Sequence, residues 1–332
     1  MMTAILTVKK LNVITYQGLE KKPYEIIKEL DLTVFQGEIL GIVGESGSGK
    51  SILMRCLKNI LPRFFEYQYQ EFIFESEMHR LDENLSIAMI FQDPKKAMNP
   101  VKTIGSQLAE VARRFQKVSK AAAIELSEKT LAKVAISNPK QRMKQYPHEL
   151  SGGLQQRVMI AMALLTKSKV LIADEPTTAL DAVTQKGILL LLKELQQTEG
   201  LTIILISHDL KVIKQVADRV AVMYFGEIVE LGKLQTILKK TQHPYTKALL
   251  AASPSKSHEL TSIPGNVPTM DEQIPGCFFA SRCSVKLPEC TKSHPLLKER
   301  KQHAVRCFYA ERKSQNAERN PDFINESFIE DF

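Results

Sequence analysis

Eight residues, Gly44-Glu45-Ser46-Gly47-Ser48-Gly49-Lys50-Ser51, have the types and spacing to hold a chain of phosphates. They fill every fixed position of G-x-x-x-x-G-K-[ST], a pattern with a physical reading where it follows a strand and opens a helix. Gly44, Gly47 and Gly49 let the backbone curl, so that successive N–H groups, that of Ser46 included, face an anion; the helix behind adds the positive end of its dipole. Lys50 then reaches the outer phosphates of a nucleotide and the Ser51 hydroxyl ligates Mg²⁺. Farther along, Gln92, the pair Asp174-Glu175, and His208 each close an apolar run. Asp174 suits a water-mediated hold on Mg²⁺, Glu175 suits polarising an attacking water as general base, and His208 suits contacting a γ-phosphate. Leu150-Ser151-Gly152-Gly153 offers a second hydroxyl and more free N–H groups at another helix start. Two phosphate cradles but one Lys-Ser loop imply that the second serves the nucleotide of another subunit. A glycine turn, a capping carboxylate pair or a hinge before a helix explains each motif alone, but not all of them in one chain.

The elements that must position these groups are readable as well. Apolar runs at Ile39–Val43, Leu85–Phe91, Val170–Ala173 and Thr202–Ile206 alternate with helical stretches, which predicts an α/β fold with a mainly parallel sheet covered on both faces. In such sheets ligands sit outside the carboxyl ends of the strands, where Lys50, Gln92, Asp174, Glu175 and His208 fall. Ile5–Val8 and Leu30–Val34 read as further strands, Ser51–Ile60 as a helix, and Arg63–Arg80 as strand only in part. From Ile104 to about Val134 the apolar spacing is helical and Ala-rich, and the Ser151 run opens a helix to Leu165. Tyr16 lies ahead of the phosphate loop, where its ring suits stacking on an adenine; Tyr24 competes with it, and a half-buried strand tyrosine is the plain alternative.

The 332 residues are 44% hydrophobic and 25% charged, enough for one large core and a smaller one. No apolar run approaches the roughly 18 residues that cross a bilayer, and the start lacks the pattern of a secretory signal. A cytosolic setting is therefore expected, with the five cysteines as thiols or metal ligands rather than disulfides. The net charge of +8 suits nucleotide, nucleic acid or an anionic membrane surface without choosing among them. After about Lys240 the chain turns Pro-rich and Cys-bearing, as a second small domain would. From about Ala310 to Phe332 it is polar and reads as disordered.

Together these residues resemble the ATP-binding cassette (ABC) family of transporter ATPases. Gly44–Ser51 is similar to its Walker A, Gln92 to its Q-loop, and Leu150-Ser151-Gly152-Gly153-Leu154-Gln155-Gln156-Arg157 to its signature. Val170–Asp174 is similar to its Walker B, Glu175 to its catalytic base, Ala179-Leu180-Asp181 to its D-loop and His208 to its switch histidine. Phe91-Gln92-Asp93-Pro94, Met98-Asn99-Pro100 and His243-Pro244-Tyr245-Thr246-Lys247-Ala248-Leu249-Leu250 narrow the likeness to the oligopeptide, dipeptide and nickel importer branch. So do Ile263-Pro264-Gly265-Asn266-Val267-Pro268 and the cysteine-bearing tail. The resemblance implies a P-loop NTPase with an antiparallel β subdomain and a helical subdomain at about 93–157. The nucleotide-binding domain would span 1–240, a four-cysteine C-terminal domain 241–310, and a polar tail 311–332.

It implies further that ATP and Mg²⁺ lie between the Lys50 loop of one cassette and Ser151, Gly152, Gly153, Gln155 and Asp181 of the other. Gln92 and Asp174 would assist Ser51 with the metal. The expected partners are a second cassette subunit, two membrane permease subunits and an extracellular substrate-binding protein, with the chain peripheral on the cytoplasmic face of the membrane and no nucleic acid. The expected cargo is peptide; nickel or metallophore uptake, and a cassette acting on nucleic acid or ribosomes, are the alternatives. Two departures stand out: residues 62–86 are short and lack the family's glycine-containing strand turn, and the signature carries Leu154-Gln155. No catalytic residue is missing, so an active half-site is expected.

Cys277, Cys283, Cys290 and Cys307 lie within 31 residues, separated by five, six and sixteen. That is dense for chance burial and lacks the tight knuckles of structural zinc. Similar importer ATPases hold a [4Fe-4S] cluster with four such cysteines, so the resemblance implies iron–sulfur, with zinc or free thiols as the other readings. Cys56 reads as an ordinary buried thiol.

Overall fold

The computed structural model describes residues 3–17, 22–83, 85–178, 180–252, 263–269 and 272–319. β1 (Ala4–Gln17) and β2 (Lys22–Phe35) pair antiparallel, and β3 (Ile39–Val43) leads through the phosphate loop into α1 (Lys50–Leu57). β4 (Phe65–Gln68), β5 (Glu71–Phe74) and β6 (Glu77–Met78) complete a five-stranded antiparallel sheet with β1 and β2. The hairpin from β5 to β6 turns without glycine: Glu75 and Ser76 both take positive φ, at 50° and 69°. The short 62–86 segment therefore keeps its sheet, at the cost of two residues in left-handed backbone.

β7 (Ile87–Ile90) precedes a helical block of α2 (Pro94–Ala97), α3 (Ile104–Gln116), α4 (Lys120–Lys133), α5 (Pro139–Arg142) and α6 (Gly152–Leu165). The helical spacing expected over 104–134 is realised as two helices. Lys117 takes left-handed backbone at φ 52°, and the Ser119 hydroxyl caps the next helix by accepting from Ala122 N–H. β8 (Val170–Asp174), α7 (Ala182–Glu199), β9 (Thr202–Ser207), α8 (Leu210–Val216), β10 (Arg219–Tyr224), β11 (Glu227–Lys233), α9 (Leu234–Lys240) and α10 (Pro244–Ala251) follow. The chain closes with β12 (Lys298–Arg300), β13 (His303–Val305) and α11 (Phe308–Arg319).

The main sheet runs β12-β13-β11-β10-β3-β9-β8-β7, with β10, β3, β9, β8 and β7 parallel. β3, β8 and β9 are buried at every position because both faces are covered. Their side chains divide by the strand period of two. Leu40, Ile42, Ile172 and Ile206 face the core shared with the antiparallel sheet and α1, while Ile39, Val43, Leu171 and Leu205 face the core under the other helices.

Two expectations change at the C-terminal end. Residues 241–310 do not stand apart as a second body: β13 pairs with β11, Glu230 opposite Val305 and Leu231 opposite Ala304, so this lobe extends the sheet of the cassette. The tail expected to be disordered from 311 is helical to Arg319, because α11 begins at Phe308 and buries Ala310 against Val305 and Cys307. Its remainder, 320–332, lies outside the described residues.

Candidate functional site

β3 delivers the phosphate loop to the carboxyl edge of the sheet, beside the ends of β8 and β9. Gly44 lies so close to the Met223 carbonyl that no Cβ would fit, and Gly49 takes φ 98° against Ile27 of β2. The loop is thus wedged between β10 and the antiparallel sheet. Lys50 is buried, and its Nζ donates to the Gly44 carbonyl at 2.7 Å, the Glu45 carbonyl at 2.8 Å and Ser48 Oγ at 3.2 Å. Burial lowers the Lys50 ammonium from its usual range against the pull of Glu175, Asp174 and Glu45.

Ser51 Oγ donates to Asp174 Oδ1 at 3.1 Å. Burial raises the Asp174 carboxyl, and the Ser51 hydrogen bond opposes that. A buried carboxylate with a hydroxyl one hydrogen bond away is a donor set that fits a divalent cation. One residue on, Glu175 takes left-handed backbone at φ 48°, held by its N–H to the Ile206 carbonyl at 3.1 Å. Gln92 Nε2 donates to Glu175 Oε2 at 3.2 Å, Thr178 Oγ1 donates to the same oxygen at 2.9 Å, and His208 Nδ1 lies 3.0 Å from Oε1. The Glu175 side chain is 17% exposed and His208 57%, so the carboxylate is fixed at a solvent-reachable spot. Gln92, Lys50, Ser51, Asp174, Glu175 and His208 therefore come together as their chain positions suggest.

The second cradle lies elsewhere. Ser151 caps α6, its hydroxyl accepting from Leu154 N–H at 3.4 Å, and Gly153 packs against Thr184 of α7 too closely for a Cβ. Asp181 caps α7 through Val183 N–H, Thr184 N–H and the Thr184 hydroxyl, which hold its carboxyl below the usual range, the hydroxyl foremost. Ser151, Gly152, Gly153 and Asp181 thus share one face, and no hydrogen bond among the described residues joins that face to the Lys50 loop. Ala179 lies outside the described residues. Gln155 departs from expectation: it is 2% exposed, and its Nε2 donates to the Pro147 and Leu150 carbonyls at 2.7 and 3.2 Å. It braces the turn before Ser151 from inside rather than reaching a ligand, because position 155 falls on the buried side of α6.

Tyr16 is 40% exposed near the end of β1, its hydroxyl donating to Glu66 at 3.0 Å, which leaves a ring face open. The four C-terminal cysteines line one small cavity with His243, Phe279 and Phe308. Burial pushes the Cys277 thiol up to about 12 and Cys307 to about 11. Among the described residues no three His, Cys, Asp or Glu are grouped so as to hold a metal ion. Cys56 is buried, its thiol pushed by that burial to about 12.

Sequence reasoning missed the groups that surround the loop from a distance. Tyr245 Oη accepts from Glu45 N–H at 2.8 Å, and the Arg282 guanidinium donates to both Glu45 oxygens at 2.7 and 3.0 Å. Lys28 is half-buried over the Phe225 ring at 4.1 Å, and desolvation brings its ammonium down to about 8. The one hint was Glu45 itself, a carboxylate inside an anion-binding loop, which needs a cation beside it.

A family model described as ABC transporter matches residues 27–178, and one described as the C-terminal region of oligopeptide/dipeptide transporters matches 229–290. The chain belongs to the ABC transporter ATPases and hydrolyses ATP, with residues 229–290 as its oligopeptide/dipeptide-type C-terminal region. The Bacillus subtilis dipeptide transport ATP-binding protein DppD is 40% identical over 95% of this chain and 98% of its own length. The oligopeptide transport ATP-binding protein OppD of the same organism is 41% identical over 92% of this chain and 88% of its own. Among solved structures, CbiO1 of Clostridium perfringens, part of the ABC transporter complex CbiONQ, superposes with TM-score 0.62 at 27% identity, covering 72% of this chain and 92% of that one.

Proposed function

We propose that this chain is the ATP-binding subunit of an importer that drives dipeptides or oligopeptides through a membrane permease, working from the cytoplasmic face. The observation that carries this reading is the gathering of Lys50, Ser51, Gln92, Asp174, Glu175 and His208 in a chain similar over nearly its whole length to dipeptide and oligopeptide transport ATPases, with their type of C-terminal region at 229–290. Lys50 and the loop N–H groups take the phosphates, Tyr16 stacks on the adenine, and Ser51, Asp174 and Gln92 hold Mg²⁺. The cation supplies charge neutralisation on the phosphates. Glu175 accepts the proton of the attacking water while His208 and Gln92 orient its carboxylate. Ser151, Gly152, Gly153 and Asp181 face the nucleotide of a second cassette, consistent with their separation from the Lys50 loop within one chain.

The surface proposed for the permease is an apolar cleft. Beside Gln92, between β7 and the helical block, a cleft of about 460 Å³ is lined by Ile60, Met89, Phe91, Met98, Phe115 and Met162. Phe115 is 53% exposed and Phe91 43%, so two aromatic rings of this cleft face solvent together. No helix among the described residues is long and apolar enough to cross a membrane. Tagged chain isolated from membranes is expected to bring down two permease subunits and a second cassette, and peptide-loaded binding protein should stimulate ATP hydrolysis by that complex. Phe115→Glu should break the association without weakening ATP binding by the free chain. Recovery of ribosomes or nucleic acid instead would remove the importer reading.

The cysteine cavity is proposed to hold the four-iron cluster that the resemblance implies. All four thiols are among its lining residues and no carboxylate is, and a cluster several ångström across spaces its ligands wider than a single ion does. Anaerobically purified chain should contain iron and acid-labile sulfide in equal amounts, and Cys290→Ser should lose both. Metal-free chain, or zinc in their place, refutes this.

A further inference from the structure

The phosphate loop carries a charge that its task opposes. Glu45 is its second residue, and a free carboxylate there repels the phosphates the loop must hold. The C-terminal lobe answers that charge from 237 residues away. Arg282, at the end of a 3₁₀ turn (Ala280–Arg282) that leads into Cys283, grips Glu45 with two nearly parallel hydrogen bonds, and its side chain is only 3% exposed. The guanidinium is itself locked: it also donates to the Pro264 carbonyl at 2.8 Å and the Tyr224 hydroxyl at 3.3 Å. Tyr245 of α10 takes the Glu45 N–H, and the Tyr224, Tyr245 and Phe279 rings pack around the contact with centroids 4.7 to 5.4 Å apart.

We propose that Arg282 and Tyr245 are positioning residues for ATP: together they neutralise and orient Glu45, so that the phosphate loop is open to the nucleotide only while the C-terminal lobe is seated on it. Neither side chain is aimed at the reacting atoms. Their effect passes through Glu45 to the loop backbone, which makes the lobe a brace for nucleotide binding rather than an appendage. The inference rests on the ATPase assignment of the same loop.

The test measures equilibrium binding of ATP to the full-length chain, and steady-state hydrolysis by the assembled complex. Arg282→Gln leaves Glu45 bare and is expected to weaken ATP binding and raise KM about tenfold, with kcat changed less than about twofold. Adding Glu45→Gln removes the stranded charge and should restore most of the affinity, a rescue that damaged packing would not show. Tyr245→Phe keeps the buried ring and removes only the acceptor; about threefold weaker binding is expected. This variant carries the test by itself should Arg282→Gln not fold. Wild-type affinity in Arg282→Gln or in Tyr245→Phe overturns the proposal, as does a double variant as weak as Arg282→Gln alone. A wild-type chain that bound no ATP would instead strike at the assignment of the loop.

Discussion

Glu175→Gln is expected to lower steady-state ATP hydrolysis by about 10²–10⁴-fold while leaving ATP affinity within about twofold. The carboxylate is held by three separate elements: Gln92 after β7, Thr178 in the following turn and His208 after β9. It sits at a backbone angle that a side-chain-bearing residue seldom takes, φ 48°, which persists because the bond to the Ile206 carbonyl fixes it. An amide of the same shape keeps most of those contacts and cannot accept the proton. Binding, which depends on Lys50 and the loop N–H groups, is untouched, so ATP should accumulate and the paired cassettes should remain closed. Pre-steady-state and steady-state assays on the variant complex decide the matter; turnover at the wild-type rate would take the base assignment away from Glu175.

The second large effect is on stability. Glu230 is fully buried on β11, accepting from Thr241 Oγ1 and Gln242 N–H at 2.8 Å, His243 N–H at 3.1 Å and His303 Nε2 at 2.7 Å. Burial pushes its carboxyl upward, but the hydrogen bonds, that from His303 foremost, outweigh it and hold the group below its ordinary range. Glu230→Ala strands those donors in the interior and should cost about 3–5 kcal/mol. Thermal unfolding, and faster proteolysis between α9 and α10, are the readouts; a variant melting with the wild type would show the network to be dispensable.

Acid should have a related effect. Burial lowers His243 to about 4 from 6.5, so the unfolded chain takes up this proton first as pH falls. Stability is then full above about 6.5 and declines toward pH 4, by about 3 kcal/mol at 1.4 kcal/mol per pH unit. Glu230 adds to the loss at lower pH, since a depressed carboxyl stabilises only above its unfolded value. His243→Asn, which can still cap α10 but cannot titrate, should flatten the decline.

The site was legible where its geometry is local. Gly44–Ser51 and Asp174-Glu175 each carry their own backbone requirement within a few residues, so spacing alone reports them. What spacing does not report is a partner. Nothing marks Arg282 as the cation for Glu45, or His303 as a donor to Glu230, because each looks like any polar residue until the fold brings it in. The long strands were hidden for another reason. β1 and β2 shift register between Val8 and Leu11, with Lys10 and Glu29 at positive φ, and each irregularity breaks the alternation that would have shown one strand. The break in the helical block was within reach, since Ser119 is an ordinary capping residue whose signal the surrounding alanines masked.

The pairing of β13 with β11 means that the C-terminal lobe covers an edge of the cassette's own sheet. In a chain cut after Lys240, β11 would offer its unsatisfied amides and carbonyls as a template for any extended peptide, with a bare buried carboxylate at Glu230 behind it. Such a fragment should self-associate, and one that carries on through Val305 should not.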